Sequence, residues 1–171
     1  MSDSDYRDWV VNVSVNPDEF QRSGHVHVFL SSEEPAGTPD QWMVDPNQIG
    51  VVSVFKGDTS QGGYFGSYAS LGVRINGQVF LSEDLAERGQ DINKVQPIVN
   101  YLRTQLRWRC SLVGDTEIPL ETVPSLTVKV QSAVVHVPKR TPGRSPGQPR
   151  RGEWETHPDV TRGKVGGFSA A

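Results

Sequence analysis

Leu126-Thr127-Val128-Lys129-Val130-Gln131-Ser132-Ala133-Val134-Val135-His136-Val137 alternates apolar and polar residues before closing on β-branched ones. A period of two puts alternate side chains on opposite faces, so this segment predicts a strand with one buried face. The same pattern recurs upstream. Trp9-Val10-Val11-Asn12-Val13-Ser14-Val15 alternates from Val11 onward, and Asn16-Pro17-Asp18 ends it with turn chemistry. His25-Val26-His27-Val28-Phe29-Leu30 is a second strand, entered through Ser23-Gly24. The short link between these two predicts an antiparallel pair. Gly50-Val51-Val52-Ser53-Val54-Phe55 is a third. Arg74-Ile75-Asn76-Gly77-Gln78-Val79-Phe80-Leu81 sets Asn-Gly between apolar residues, which predicts a hairpin turn. Trp108 to Val113 is a further strand, with Gly114-Asp115 turning between it and the 126–137 segment.

Two helical insertions interrupt the strands. Ser82-Glu83-Asp84-Leu85 opens one, with Ser82 placed to cap it. Ile92, Val95, Val99, Leu102 and Leu106 recur at three- and four-residue intervals, the period of one helical face. Pro97 falls inside that run, so this helix starts near it or kinks there. Many short strands and few helices predict a mainly β fold: an antiparallel β-sandwich with one or two short helices over residues 6–138. Residues 139–171 read as a disordered, basic Pro/Arg-rich linker and tail. Pro138 to Gly152 carries four prolines and five basic residues without an apolar anchor, and Trp154 to Lys164 is a polar stretch with Trp154 as its aromatic anchor.

Charge follows the same division. The net charge of −3 over 171 residues combines an acidic stretch up to residue 138 with a basic one beyond it. A basic folded face with aromatic platforms, the usual footprint for nucleic acid, is therefore not expected. The N-terminal Met1-Ser2-Asp3-Ser4-Asp5 has no apolar core of a signal peptide, and no run is long enough to span a membrane. A soluble protein, cytoplasmic or otherwise intracellular, is the expectation. Cys110 is the single cysteine, at an alternating position in Leu106–Leu112, where a thiol packs as a small apolar side chain.

Few residues offer chemistry. The histidines are His25, His27, His136 and His157, and no HExxH, G-x-S-x-G or P-loop pattern occurs. His25 and His27 share one face of a strand and are the weak candidates for a copper or zinc site, lacking an evident third ligand. Glu33-Glu34 and Glu83-Asp84 read as solvated charges. The most suggestive stretch is Gly62-Gly63-Tyr64-Phe65-Gly66-Ser67-Tyr68. Tyr64, Phe65 and Tyr68 among glycines either protrude as a contact loop or fold back on the sandwich.

Several of these pieces, taken in order, resemble a known family. Tyr6 to Val13, His27-Val28-Phe29-Leu30, Gly50 to Phe55, Val79 to Leu85, Tyr101 to Arg109, Val123 to Val128 and His157 to Lys164 together resemble the C-terminal domain of fungal tyrosinases (polyphenol oxidases). The resemblance implies a domain that follows a type-3 dicopper catalytic domain, serving phenol oxidation and melanin synthesis. There it covers the active-site entrance and keeps a proenzyme latent until proteolysis, with an aromatic side chain in the substrate position. Carried to this chain, the placeholder candidates are Tyr64, Phe65 and Tyr68. The resemblance places copper in the partner domain, joined in cis or met in trans, and no cofactor and no catalytic residue in this chain. The family's cysteine-pair motif for copper delivery has no counterpart here, since the 57–70 loop has no cysteine. This chain alone is not expected to oxidise phenols. The alternative is a free-standing β-sandwich module that binds a protein or carbohydrate through the same aromatic loop.

Overall fold

The computed structural model describes residues 4–56 and 73–169. Among these residues nine strands form two antiparallel sheets facing each other across one core. The first sheet holds β1 (Tyr6–Val15), β4 (Ile75–Phe80) and β7 (Thr127–His136), with the short β8 (Arg150–Arg151) and β9 (Glu155–Thr156) both beside β7. The second runs in the order β3 (Gln48–Val54), β2 (Gly24–Leu30), β5 (Leu106–Leu112), β6 (Thr116–Ile118). Among the described residues, α1 (Pro39–Trp42), α2 (Ser82–Glu87) and α3 (Val95–Gln105) are helices set between strands.

Alternation explains the core. Trp9, Val11, Val13 and Val15 of β1, with Val128 and Val130 of β7, face Val26, Val28 and Leu30 of β2 and Trp108, Cys110 and Leu112 of β5. Burying aliphatic side chains of this size contributes about 1.5–3 kcal/mol each, an upper figure because the unfolded chain is itself partly collapsed. α3 adds Ile98, Val99 and Leu102 to the same cluster. Pro97 lies in its first turn, where its missing N–H leaves no helical bond unmade.

Three local expectations are corrected. β1 and β2 are not paired. β1 lies between β4 and β7, while β2 lies between β3 and β5. Their link carries the chain from one sheet to the other through a 3-10 turn at Pro17–Glu19 and the fully buried Phe20. Asn76-Gly77 makes no turn, because both residues lie inside β4. A Cβ on Gly77 would sit 2.5 Å from the Val52 side chain of β3, and one on Gly50 would sit 2.5 Å from Val79 of β4. Glycine is there for close approach between strands of opposite sheets. Ser82 is the first residue of α2 and does not cap it. Its hydroxyl donates to the Asp8 carboxylate at 2.6 Å and accepts from the Trp9 amide at 2.9 Å, fastening the helix to β1.

The chain beyond residue 138 has two parts. Residues 139–149 are exposed and form no strand or helix. Arg150 to Phe168 returns to the sandwich as a strap, against the expectation of a disordered tail throughout. His157, Val160 and Thr161 are buried, and Val160 belongs to the main core. Backbone bonds tie the strap on, including His157 N–H to Val130 O at 2.9 Å and Phe168 N–H to Val128 O at 2.9 Å. Sparse apolar residues sufficed because each of these bonds leaves a β7 carbonyl satisfied.

Candidate functional site

The glycine- and aromatic-rich stretch expected to form a contact loop falls between β3 and β4. Tyr64, Phe65 and Tyr68 lie outside the described residues, but the two roots of the loop are fixed. On the β3 side, the Lys56 amide donates to Ser23 Oγ at 2.9 Å and the Lys56 ammonium donates to Phe20 O at 2.6 Å. On the β4 side, Arg74 Nε donates to Ser14 Oγ at 2.7 Å, and its Nη2 donates to Ser14 O at 3.1 Å and to Ser125 O. Glu19 reinforces this corner by accepting from the Ser125 amide and hydroxyl, the latter at 2.5 Å. Two long cations thus staple both loop roots to backbone carbonyls at one end of the sandwich. Phe55 and Val73 beside them are 65% and 40% exposed, so apolar surface flanks the loop on both sides. Sequence patterning did not mark Lys56 or Arg74, because a lone charge beside a glycine-rich loop looks like a solvated one.

His25 and His27 do share a strand face, with ring centroids 5.8 Å apart. His27, however, is buried and has both nitrogens engaged: Nδ1 with Gln48 Oε1 at 2.7 Å and Nε2 with Ser111 Oγ at 2.7 Å. Burial chiefly lowers its pKa, with the nearby His25 adding to the effect and the Gln48 hydrogen bond opposing it. A neutral ring donating to Gln48 and accepting from Ser111 has no lone pair left for a metal. It packs instead with Phe29 and Trp42 on the outer side of the second sheet, at centroid distances of 6.4 and 5.2 Å. Among the described residues no group of three or more His, Cys, Asp or Glu is arranged to hold a metal ion. Cys110 is fully buried, and burial first, then Glu117, pushes its thiol up to about 12, so it is a packing residue and no nucleophile.

His157 marks the strap's anchorage. It stacks on Trp9 at 4.9 Å, and its Nε2 meets Ser132 Oγ at 2.7 Å. Arg7 Nη1 donates to that same hydroxyl at 2.9 Å, leaving the hydroxyl proton for the imidazole. Burial lowers the His157 pKa above all, Arg7 lowers it further, and Glu155 opposes them. Farther along, Lys164 donates to Leu106 O at 2.9 Å beside the Trp108 ring and beneath a cleft of about 360 Å³. Burial, with Arg107 and Arg103 nearby, lowers its pKa to about 8. A third contact crosses the outer face of the first sheet, where Arg151 reaches Asp8 at 2.7 Å and lies 4.9 Å from the Trp154 ring.

These features define a two-sheet β-domain in which the residues on either side of the β3–β4 connection are fastened at one end, with no catalytic constellation of its own among the described residues. The family model for the tyrosinase C-terminal domain matches residues 8–130, and the chain belongs to that family. It is 30% identical over 168 residues to a tyrosinase of Neurospora crassa, an alignment covering 95% of this chain and 23% of that protein. The chain therefore spans about a quarter of the relative's length. Two solved structures share the fold. Recombinant mushroom tyrosinase superposes with a TM-score of 0.64 at 21% identity, covering 91% of this chain and 25% of the other. A structure of coexisting latent and active mushroom tyrosinase gives 0.65 at 22%, covering 91% and 26%. In each, this domain corresponds to part of a larger tyrosinase. No helix among the described residues is long and apolar enough to cross a membrane.

Proposed function

We propose that this domain shields the active-site entrance of a dicopper, phenol-oxidising catalytic domain, and holds that enzyme latent by placing an aromatic ring of the 57–72 loop where a phenol ring binds. The stapling of both loop roots by Lys56 and Arg74 is the observation that carries this reading. A plug must be held by its base if it is to resist displacement by substrate, and fixed roots lower the entropy lost when the loop docks. Exposed Phe55 and Val73 supply apolar surface around the entrance. Family membership and the length of the Neurospora relative support a catalytic domain joined in cis. Copper belongs to that partner. This chain's own contribution is to cover, to exclude water and substrate, and to make no bond.

Phe65 in that place has no hydroxyl to be oxidised and would be an inert plug. Tyr64 or Tyr68 in that place would need its hydroxyl held away from the copper. One fully buried aromatic side chain contributes about 1.5–3 kcal/mol, worth roughly ten- to a hundredfold in inhibition. The test adds the chain to an activated tyrosinase and measures residual phenol oxidation. Inhibition is expected, and Tyr64→Ala, Phe65→Ala and Tyr68→Ala should weaken it unequally, one far more than the others. Equal inhibition by all three variants would reduce the reading to plain coverage, and no inhibition by the parent chain would remove it.

A further inference from the structure

The connection between β7 and β8 carries a tandem repeat, Arg140-Thr141-Pro142-Gly143 followed by Arg144-Ser145-Pro146-Gly147. Each unit sets a hydroxyl residue between an arginine and a proline, and shielding has no use for either. β7 and β8 pair through Val135 with Arg151 and His136 with Arg150, so the connection is held at both ends and projects from the sheet. Every residue from Pro138 to Arg151 is exposed. Among the described residues neither the Thr141 nor the Ser145 hydroxyl makes a hydrogen bond. Thr141 to Arg144 forms a turn with proline second and Gly143 third at φ +81°, closed by one exposed bond from Arg144 N–H to Thr141 O at 3.2 Å. Opening it into the extended form a kinase cleft accepts breaks nothing in the core.

We propose that Thr141, and Ser145 after it, are phosphorylation sites for a proline-directed serine/threonine kinase. Such kinases seat the residue after the hydroxyl in a slot suited to proline and prefer a cation three positions on. Arg144 supplies that cation for Thr141, while Ser145 has Gln148 there. The step moves the γ-phosphoryl group of Mg-bound ATP to Thr141 Oγ1. The new P–O bond forms as the bond to the β–γ bridging oxygen breaks, ADP leaves, and the hydroxyl proton passes to the kinase's base. Each phosphate adds about −1.5 to −2 charge beside Arg140, Arg144 and Arg150, reversing much of the local positive charge. Because neither hydroxyl bonds to the sandwich, the fold itself is unaffected.

The experiment incubates the full chain with Mg·ATP and a purified cyclin-dependent-type kinase, and reads sites by intact mass and fragmentation. One phosphoryl group is expected mainly on Thr141 and a second, slower one on Ser145. Thr141→Ala removes the faster phase, and the double change with Ser145→Ala removes both. Pro142→Ala keeps the hydroxyl and should abolish modification of Thr141, with the thermal midpoint unchanged in every variant. No incorporation into the folded chain, or modification indifferent to Pro142→Ala, overturns the proposal. So does phosphorylation of a peptide spanning 137–151 when the intact chain resists it, since display by the fold is what is claimed.

Discussion

Residues 139–149 and Arg150–Phe168 are both basic and short of large apolar side chains, yet the first is exposed and the second is part of the fold. The difference lies in a few side chains. The strap puts His157 on Trp9, Val160 in the core, and Arg151 on Asp8, while its backbone completes the edge of β7. Residues 139–149 have no comparable side chain. Net charge measures the average of a stretch, whereas docking depends on a handful of residues at the right register, and Trp154, His157, Val160 and Phe168 have no counterpart in residues 139–149.

Removing the strap should have the largest effect. A chain ending at residue 149 uncovers the β7 edge and the Trp9 face, and several losses that each cost 1–3 kcal/mol accumulate. We expect a destabilisation of at least about 4 kcal/mol, seen in urea unfolding. Cys110 gives a second readout, since its buried thiol should resist alkylation in the full chain and react quickly in the shortened one. Equal alkylation rates would mean that the strap is ornamental.

Within the strap, Val160→Ala removes two methyl equivalents from a fully buried site and should cost about 2 kcal/mol. A cost near zero would place Val160 outside the cooperative unit.

Acidification comes next. The His157 and His27 pKa values are lowered in the folded state, chiefly by burial, so the unfolded chain binds more protons. Their contribution is complete above the unfolded value of about 6.5 and is lost as pH falls through that value towards the folded ones. Stability should therefore decline from pH 7 to 5, and His157→Gln should flatten part of the slope. A slope unchanged by that substitution would assign the acid sensitivity to other groups.

Arg151→Ala should cost about 1 kcal/mol or less, because the arginine side chain is 45% exposed and its pair with Asp8 is screened. Deleting Gly143–Gly147 should shift stability by under about 0.5 kcal/mol, as the segment packs on little besides Pro138. A larger loss would erase the contrast between the two regions.

Legibility in the sequence followed period. The longer strands β1, β2, β3, β5 and β7 announced themselves because apolar residues at alternate positions have one physical explanation, a half-buried strand, whereas β6, β8 and β9 are too short to show a period. Which strands pair was not written there, since Val11 and Val26 are alike whether their strands are neighbours or face each other across the core. Gly77 misled for a related reason. Asn-Gly usually signals a turn, and only the Val52 side chain in the space of its Cβ reveals a straight strand. The loop aromatics Tyr64, Phe65 and Tyr68 stood out because three rings among glycines are unusual. Lys56 and Arg74 did not, because a staple is recognised by the carbonyls it reaches and those come from distant parts of the chain.

The reciprocal fit of Val52 against Gly77 and Val79 against Gly50 has a consequence for variation. It stitches β3 to β4 without help from the segment joining them, so the spacing and direction of the two strand ends do not depend on what lies between. Closing a flexible connection costs only about 0.6 kcal/mol more for each doubling of its length. The segment is therefore free to change in length and content while its mounting stays put. In evolutionary terms the domain is a socket, able to accept a new insert without being refolded.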